Sequence, residues 1–206
     1  MYARSTTVHG SPEHLDDGIA YVRDDVMPAV RHMTGCIGLS MLCNRESGQS
    51  IVTTAWADEP AMHDSESGVW DLRRRMAEVL GGRPEVQEWE IALMHRMHEA
   101  HHGACTRVIW GSEAPERLDD HLDAVRMTLL AKMEDLPGFC SVSVMIDRET
   151  GRSATSVTYD SRQDMVAATE AATALRTDFA RSIGMEITAM TEFDLALSHL
   201  RVPEMV

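Results

Sequence analysis

The chain has 206 residues, with 33 acidic against 19 basic side chains and a formal charge of −14. Nucleic-acid and anionic-membrane partners call for a basic face, so both are disfavoured, and no apolar run approaches the ~20 residues of a spanning helix. The N-terminal Met1-Tyr2-Ala3-Arg4-Ser5-Thr6-Thr7 lacks a signal-peptide core, and Cys36, Cys43, Cys105 and Cys140 show no C-x-x-C spacing, so the expectation is a cytoplasmic protein with reduced, mostly buried thiols.

In chain order, residues 3–8 read as a short strand. Ser11-Pro12 then supplies a capping residue and a proline at the first helical position. The apolar residues Leu15, Ile19, Val22, Val26, Val30 and Met33 step by 4, 3, 4, 4 and 3, which is one stripe on a helix. Pro28 is expected to bend this helix, because it removes a backbone hydrogen bond, and Gly35 to end it in a left-handed cap. Ile37, Leu39, Met41 and Cys43 then alternate with Gly38, Ser40 and Leu42, the period of a strand with one buried face. Asn44-Arg45-Glu46-Ser47-Gly48 reads as a hairpin loop and residues 50–57 as a third strand. A second helix carries Met62, Val69, Leu72, Met76 and Leu80 and closes at Gly81. A last strand buries Trp89, Ile91 and Leu93.

The same order then returns 103 residues later. Pro12-Glu13-His14-Leu15-Asp16-Asp17 is matched by Pro115-Glu116-Arg117-Leu118-Asp119-Asp120, and 17 of 69 positions are identical between 12–80 and 115–183. The second stripe, Leu118, Leu122, Val125, Leu129, Met133 and Leu136, has the same steps as the first. Each copy is a βαββαβ unit of the ferredoxin-like kind, with two helices on one sheet face. The other face needs a partner, which a tandem copy supplies. The expected fold class is α+β, with two tandem ferredoxin-like βαββαβ units forming an intrachain pseudo-dimeric α+β barrel. The expected divisions are 1–94, a His-rich connector 95–104, and 105–206.

Three features carry a family resemblance. They are the βαββαβ order, the Gly35 and Gly138 turns, and the hairpin-plus-strand stretches from Asn44 to Met62 and from Asp147 to Met165, each with an aromatic (Trp56, Tyr159) before a polar turn. With them the chain resembles, over nearly its whole length, the dimeric α+β barrel superfamily and within it the antibiotic biosynthesis monooxygenase family. The resemblance implies a ligand cleft faced by the second helix. It covers cofactor-independent oxygenases of aromatic polyketides, heme-degrading enzymes and proteins without known activity, so fold alone does not settle function.

Copy one holds Trp56, His63, Trp70 and Trp89 where copy two has Tyr159, Val166, Thr173 and Phe193. That makes copy one the expected ligand-binding half. There His63 would be the base that deprotonates an electron-rich ring, with Trp56, Trp70 and Arg73 as substrate-binding residues and Arg73 placed to lie over the Trp70 ring. Set against this, Trp89 is expected to be core, and the recurrence of Arg73 as Arg176 points to a structural ion pair. The expected activity is cofactor-independent oxidation of a small aromatic or polyketide-like substrate by molecular oxygen. A non-catalytic ligand-binding or assembly module is the alternative, and a heme protein the third reading. Heme fits less well, because the first strand lacks an asparagine and the second helix has Arg73-Arg74-Arg75 where those relatives carry histidine. No cofactor and no metal are assigned. The residues that would form a metal site are His95, His98, His101 and His102, near Glu99 and Cys105. A small aromatic molecule and oxygen are the expected partners, with no nucleic acid and no membrane, and a further homodimer is left open. Walker, G-x-G-x-x-G, G-x-S-x-G and H-E-x-x-H motifs are absent.

Overall fold

The computed structural model describes residues 1–205. Eight strands appear in chain order: β1 (Tyr2–His9), β2 (Cys36–Cys43), β3 (Gln49–Trp56), β4 (Pro84–Arg96), β5 (Cys105–Ser112), β6 (Phe139–Asp147), β7 (Arg152–Tyr159) and β8 (Glu186–Leu200). The helices are α1 (Leu15–Tyr21), α2 (Met27–Arg31), α3 (Glu59–Asp64), α4 (Glu66–Leu80), α5 (Leu118–Ala124), α6 (Leu130–Glu134), α7 (Arg162–Ala167) and α8 (Thr169–Ile183). The fold class is the expected one, α+β with ferredoxin-like element order. Strand neighbours follow the orders β1-β3-β2-β8 and β5-β7-β6-β4, all antiparallel. None of the described helices is long and apolar enough to cross a membrane.

The chain divides into two compact units, one of Met1–Trp89 with Phe193–Val202 and one of Glu90–Glu192 with Pro203–Val206. This division cuts inside β4 and β8. In the first unit β3 pairs with β1 and with β2, and β2 pairs with β8, so Met41 faces Leu197. In the second unit β7 pairs with β5 and β6, and β6 pairs with β4, so Val142 faces His95. The strand therefore runs further than the Trp89–Leu93 alternation suggested and takes in His95 and Arg96.

The core of the first unit lies between helix and sheet. Leu15, Val22, Val26 and Val30 pack on Leu39, Met41 and Val52, with Met76 and Leu80 from α4. The second unit repeats this with Leu118, Leu122, Val125 and Met133 on Val142, Val144 and Val157. Each such side chain contributes roughly 1.5–3 kcal/mol by leaving water.

Two helical expectations change. A wide π turn, Val22–Val26, joins α1 to α2, and its equivalent Val125–Leu129 joins α5 to α6. The second case has no proline beyond it, since Ala131 stands at the position of Pro28. Proline is thus not the cause. The wide turn falls where the apolar stripe takes two successive steps of four, and an i→i+5 turn keeps such residues on one line. The second helix is also broken at Ser65 into α3 and α4. Asp58 caps α3, its side chain accepting from the Ala61 amide at 2.8 Å.

Gly35 and Gly138 sit in the turns into β2 and β6 with φ of 76° and 63°. Both carbonyls are used, accepting at 2.8 Å from the amides of Ala57 and Asp160. A Cβ on Gly138 would lie 2.4 Å from that of Asp164. Gly138→Ala should combine left-handed strain with overpacking and destabilise by about 2–4 kcal/mol, read as a fall in the urea midpoint at unchanged m-value.

Candidate functional site

A cavity opens between helices and sheet in each unit, and the two differ in size and charge. In the first unit it is about 30 Å³, and its walls include Arg4, Val26, Thr54, Leu72, Arg73 and Met76. Arg4 is buried on β1. Its Nε and Nη2 donate to Glu88 Oε1 at 2.9 and 2.7 Å, and its Nη1 donates to Ser65 Oγ at 3.0 Å and lies 3.2 Å from Glu66 Oε2. Arg73 donates to both oxygens of Glu66, at 3.0 and 2.9 Å. Two guanidiniums thus meet two carboxylates. The bond from Arg73 holds the Glu66 carboxyl below its usual range, burial opposing it. Both guanidiniums are thus answered by carboxylates, in one ionic cluster.

The residues singled out from sequence lie around this cluster. Trp56 is fully buried and its Nε1 donates to Thr54 Oγ1 at 3.1 Å. His63 is exposed on the short helix α3, with Nε2 3.2 Å from Glu88 Oε2. Trp70 is 55% exposed on α4. Neither His63 nor Trp70 lines the cavity; Arg73 does. One expectation is corrected: Arg74, not Arg73, lies over the Trp70 ring, 5.8 Å from its centre. A two-pronged bond to Glu66 outweighs a contact with an exposed ring, so Arg73 turns to the carboxylate. Trp89 is core, and its Nε1 donates to Ser5 Oγ at 2.8 Å.

The four histidines do not form one group. His95 is held between Glu134 (2.8 Å) and Glu204 (2.6 Å). His98 and His101 stack with ring centres 5.4 Å apart, and their nitrogens and an Asp160 oxygen lie within 4.8 Å of one another. His102 is outside this group. Asp160, far along the sequence, is the carboxylate there, and Glu99 is not.

The second unit's cavity is about 70 Å³. Aliphatic side chains from the helices and the sheet wall it, and its polar groups are Arg107, His121, Thr155, Tyr159 and Arg176. His121 and Glu113 are both buried, with His121 Nδ1 bonded to Glu113 Oε1. The His121 ring also packs against Phe179 at 5.5 Å. The first unit has nothing comparable. Gly18 and Gly10 stand at these two positions, 103 residues earlier. Leu80 occupies the space: a Cβ on Gly18 would lie 2.2 Å from its Cδ2, and one on Gly10 would lie 2.0 Å from its carbonyl oxygen.

The arginine pair recurs as Arg107 and Arg176, differently answered. Arg107 Nε and Nη2 donate to Glu192 Oε1 at 3.2 and 2.7 Å, and Nη2 to Thr169 Oγ1 at 3.3 Å. Its Nη1 is buried with no hydrogen-bond partner among the described residues. Arg176 donates to Thr173 Oγ1 at 3.1 Å. Burial, and then the Arg107 charge, lower the Arg176 pKa. Burial raises the Tyr159 hydroxyl, whose ring lies 5.9 Å from the Arg107 guanidinium. Sequence reading passed over Glu113, His121 and Arg107, although the 103-residue register exposes them as Gly10, Gly18 and Arg4.

His121 is the only described histidine lining either cavity.

If the buried pair is one interacting unit, Glu113→Ala and His121→Ala should not add. Each should cost about 2–4 kcal/mol by stranding its partner. The double variant should fall short of the sum by at least about 1 kcal/mol in urea denaturation; strict additivity would show that the two do not interact.

No family model matches the chain. It is 46% identical over 206 residues to the protein Rv2557 of Mycobacterium tuberculosis H37Rv, covering all of this chain and 92% of that one. With Rv2558 of the same strain it shares 44% over 207 residues, covering 88% of that protein. Among solved structures it is similar to candidate monooxygenases from Fusobacterium nucleatum (TM-score 0.69, 12% identity, 94% of this chain and 90% of that one) and Lactobacillus acidophilus (0.68, 10%, 94% and 92%). An anthrone oxidase-like protein superposes at 0.64 with 13% identity, covering 94% and 90%. At these identities the likeness is one of fold.

Proposed function

The chain belongs to the family of Rv2557 and Rv2558, and we propose that it is a small-molecule oxygenase without a bound cofactor, working in the cavity of its second unit. The observation that carries this reading is the buried His121–Glu113 pair on the wall of an apolar cavity. A base must be oriented and must keep one nitrogen lone pair. With Nδ1 donating to Glu113, the carboxylate fixes the tautomer that leaves Nε2 unprotonated, and it steadies the imidazolium once formed. The chain shares its fold with an anthrone oxidase-like protein, which is consistent with such chemistry.

The reaction proposed is the conversion of an activated ring CH2 to a carbonyl. His121 removes one proton, and the carbanion passes its electrons to molecular oxygen. The new C–O bond gives a hydroperoxide, which takes back the proton. Loss of the second C–H proton with cleavage of the O–O bond then leaves the carbonyl and one water. The substrate is the only reductant and oxygen the only oxidant. The aliphatic walls would keep water from the anion.

Oxygen uptake with anthrone as the probe tests this. His121→Ala should lower kcat by roughly 10²–10⁴ with little change in KM, while His63→Ala keeps wild-type turnover. The opposite pattern, His63→Ala inactive and His121→Ala active, would return the chemistry to the first unit. No oxygen uptake by the wild-type chain would leave a ligand-binding module of the same fold.

A further inference from the structure

We infer that the second unit's cavity contains an anion subsite, formed by Arg107 and Arg176, which receives the carboxylate or equivalent monoanionic group of an aromatic ligand. The inference rests on reading this cavity as the ligand site and adds the class of molecule it takes.

Equivalent positions in the two units carry different charges. In the first unit Arg4 and Arg73 are answered by Glu88 and Glu66, and Glu66 alone takes two bonds from Arg73 and a contact from Arg4. In the second unit Glu192 stands for Glu88, but the position of Glu66 is Thr169. One carboxylate is gone while both guanidiniums remain. Arg162 adds a further positive charge, 3.7 Å from Glu192, where the first unit has Glu59.

The consequences are local and visible. Arg107 is 3% exposed, and its Nη1 has no acceptor among the described residues. Arg176 has only the Thr173 hydroxyl, with no carboxylate in salt-bridge range among the described residues. Both side chains line the cavity. Burying a guanidinium without a counter-charge is costly, and holding two within each other's field adds to that cost. The lowered pKa of Arg176, set by burial and by Arg107, reflects the same tension. A monoanion at this end of the cavity would supply what Glu66 supplies in the other unit, and the guanidinium geometry suits a carboxylate. Apart from Thr155 and Tyr159, the remaining walls are mostly apolar side chains with Phe179, which suits the ring that carries the anion. His121 lines the same cavity, so the anionic group would orient the ring toward the base.

The test compares 2-naphthoate with 2-naphthamide, which have the same ring and differ in charge, by titration calorimetry on the full chain. The acid should bind at least tenfold tighter than the amide. Thr169→Glu installs the acid that the first unit carries at this position, so the fold has a precedent for it. It should bring acid affinity down to that of the amide. Arg176→Gln should do the same by removing one cation. His121→Ala should leave the preference for the acid intact, which separates this proposal from the oxygenase reading. A chain that prefers the acid but consumes no oxygen refutes only the latter. Equal affinity for the two compounds, binding of neither, or a preference that survives both Thr169→Glu and Arg176→Gln overturns the subsite.

Discussion

A guanidinium buried on β1 and another on β5 have to be answered by carboxylates, and the surrounding site is arranged by how that is done. Arg4 is fully answered. Glu88 on β4 and Glu66 at the start of α4 close around it, and Arg73 joins through the shared Glu66. The result packs β1, β4 and α4 together and leaves little room. Arg107 keeps the Glu192 partner but has a threonine hydroxyl where Glu66 would be. The same scaffold then holds an unbalanced positive charge at one end of a larger cavity.

The opposite end of each helix–sheet interior shows the same divergence. Gly10 and Gly18 let Leu80 fill the first unit's interior, and its core is closed by aliphatic contact. Glu113 and His121 replace those glycines in the second. A buried acid and imidazole in mutual contact is an expensive feature to keep, since neither is stable there alone. One unit therefore keeps the packing and the other has traded some of it for polar groups. The sequence alone pointed to copy one as the ligand-binding half; the half proposed here is the other one.

Most of the fold was legible because it depends on periodicity. The stripe from Leu15 to Met33, the alternation from Ile37 to Cys43 and the glycine turns each follow from local rules, and the βαββαβ order follows from them. The π turns were not legible, because the two successive steps of four where they fall also occur in a regular α-helix of period 3.6. The extent of β4 was missed because His95 and Arg96 look like connector, while their partners on β6 are some 45–50 residues away in sequence. Site residues were harder. Tryptophans and histidines special to copy one drew attention, yet a side chain's identity does not say whether it faces a cavity. The informative differences were a loss, Glu66 to Thr169, and a gain over glycine, Gly18 to His121. Both are visible in the register of the two copies. Their meaning depends on Arg4 and Arg107 being buried beside them, and that only the three-dimensional structure supplies.

The central claim is that the second unit's cavity is the ligand site, and a crystal structure of the full chain grown with 2-naphthoate tests it most directly. The account predicts density for the ring among the aliphatic walls of that cavity, with the carboxylate within hydrogen-bond distance of Arg107 Nη1 and Arg176. Ligand bound beside His63 and Trp70 instead, or both cavities free of ligand at saturating concentration, would contradict it.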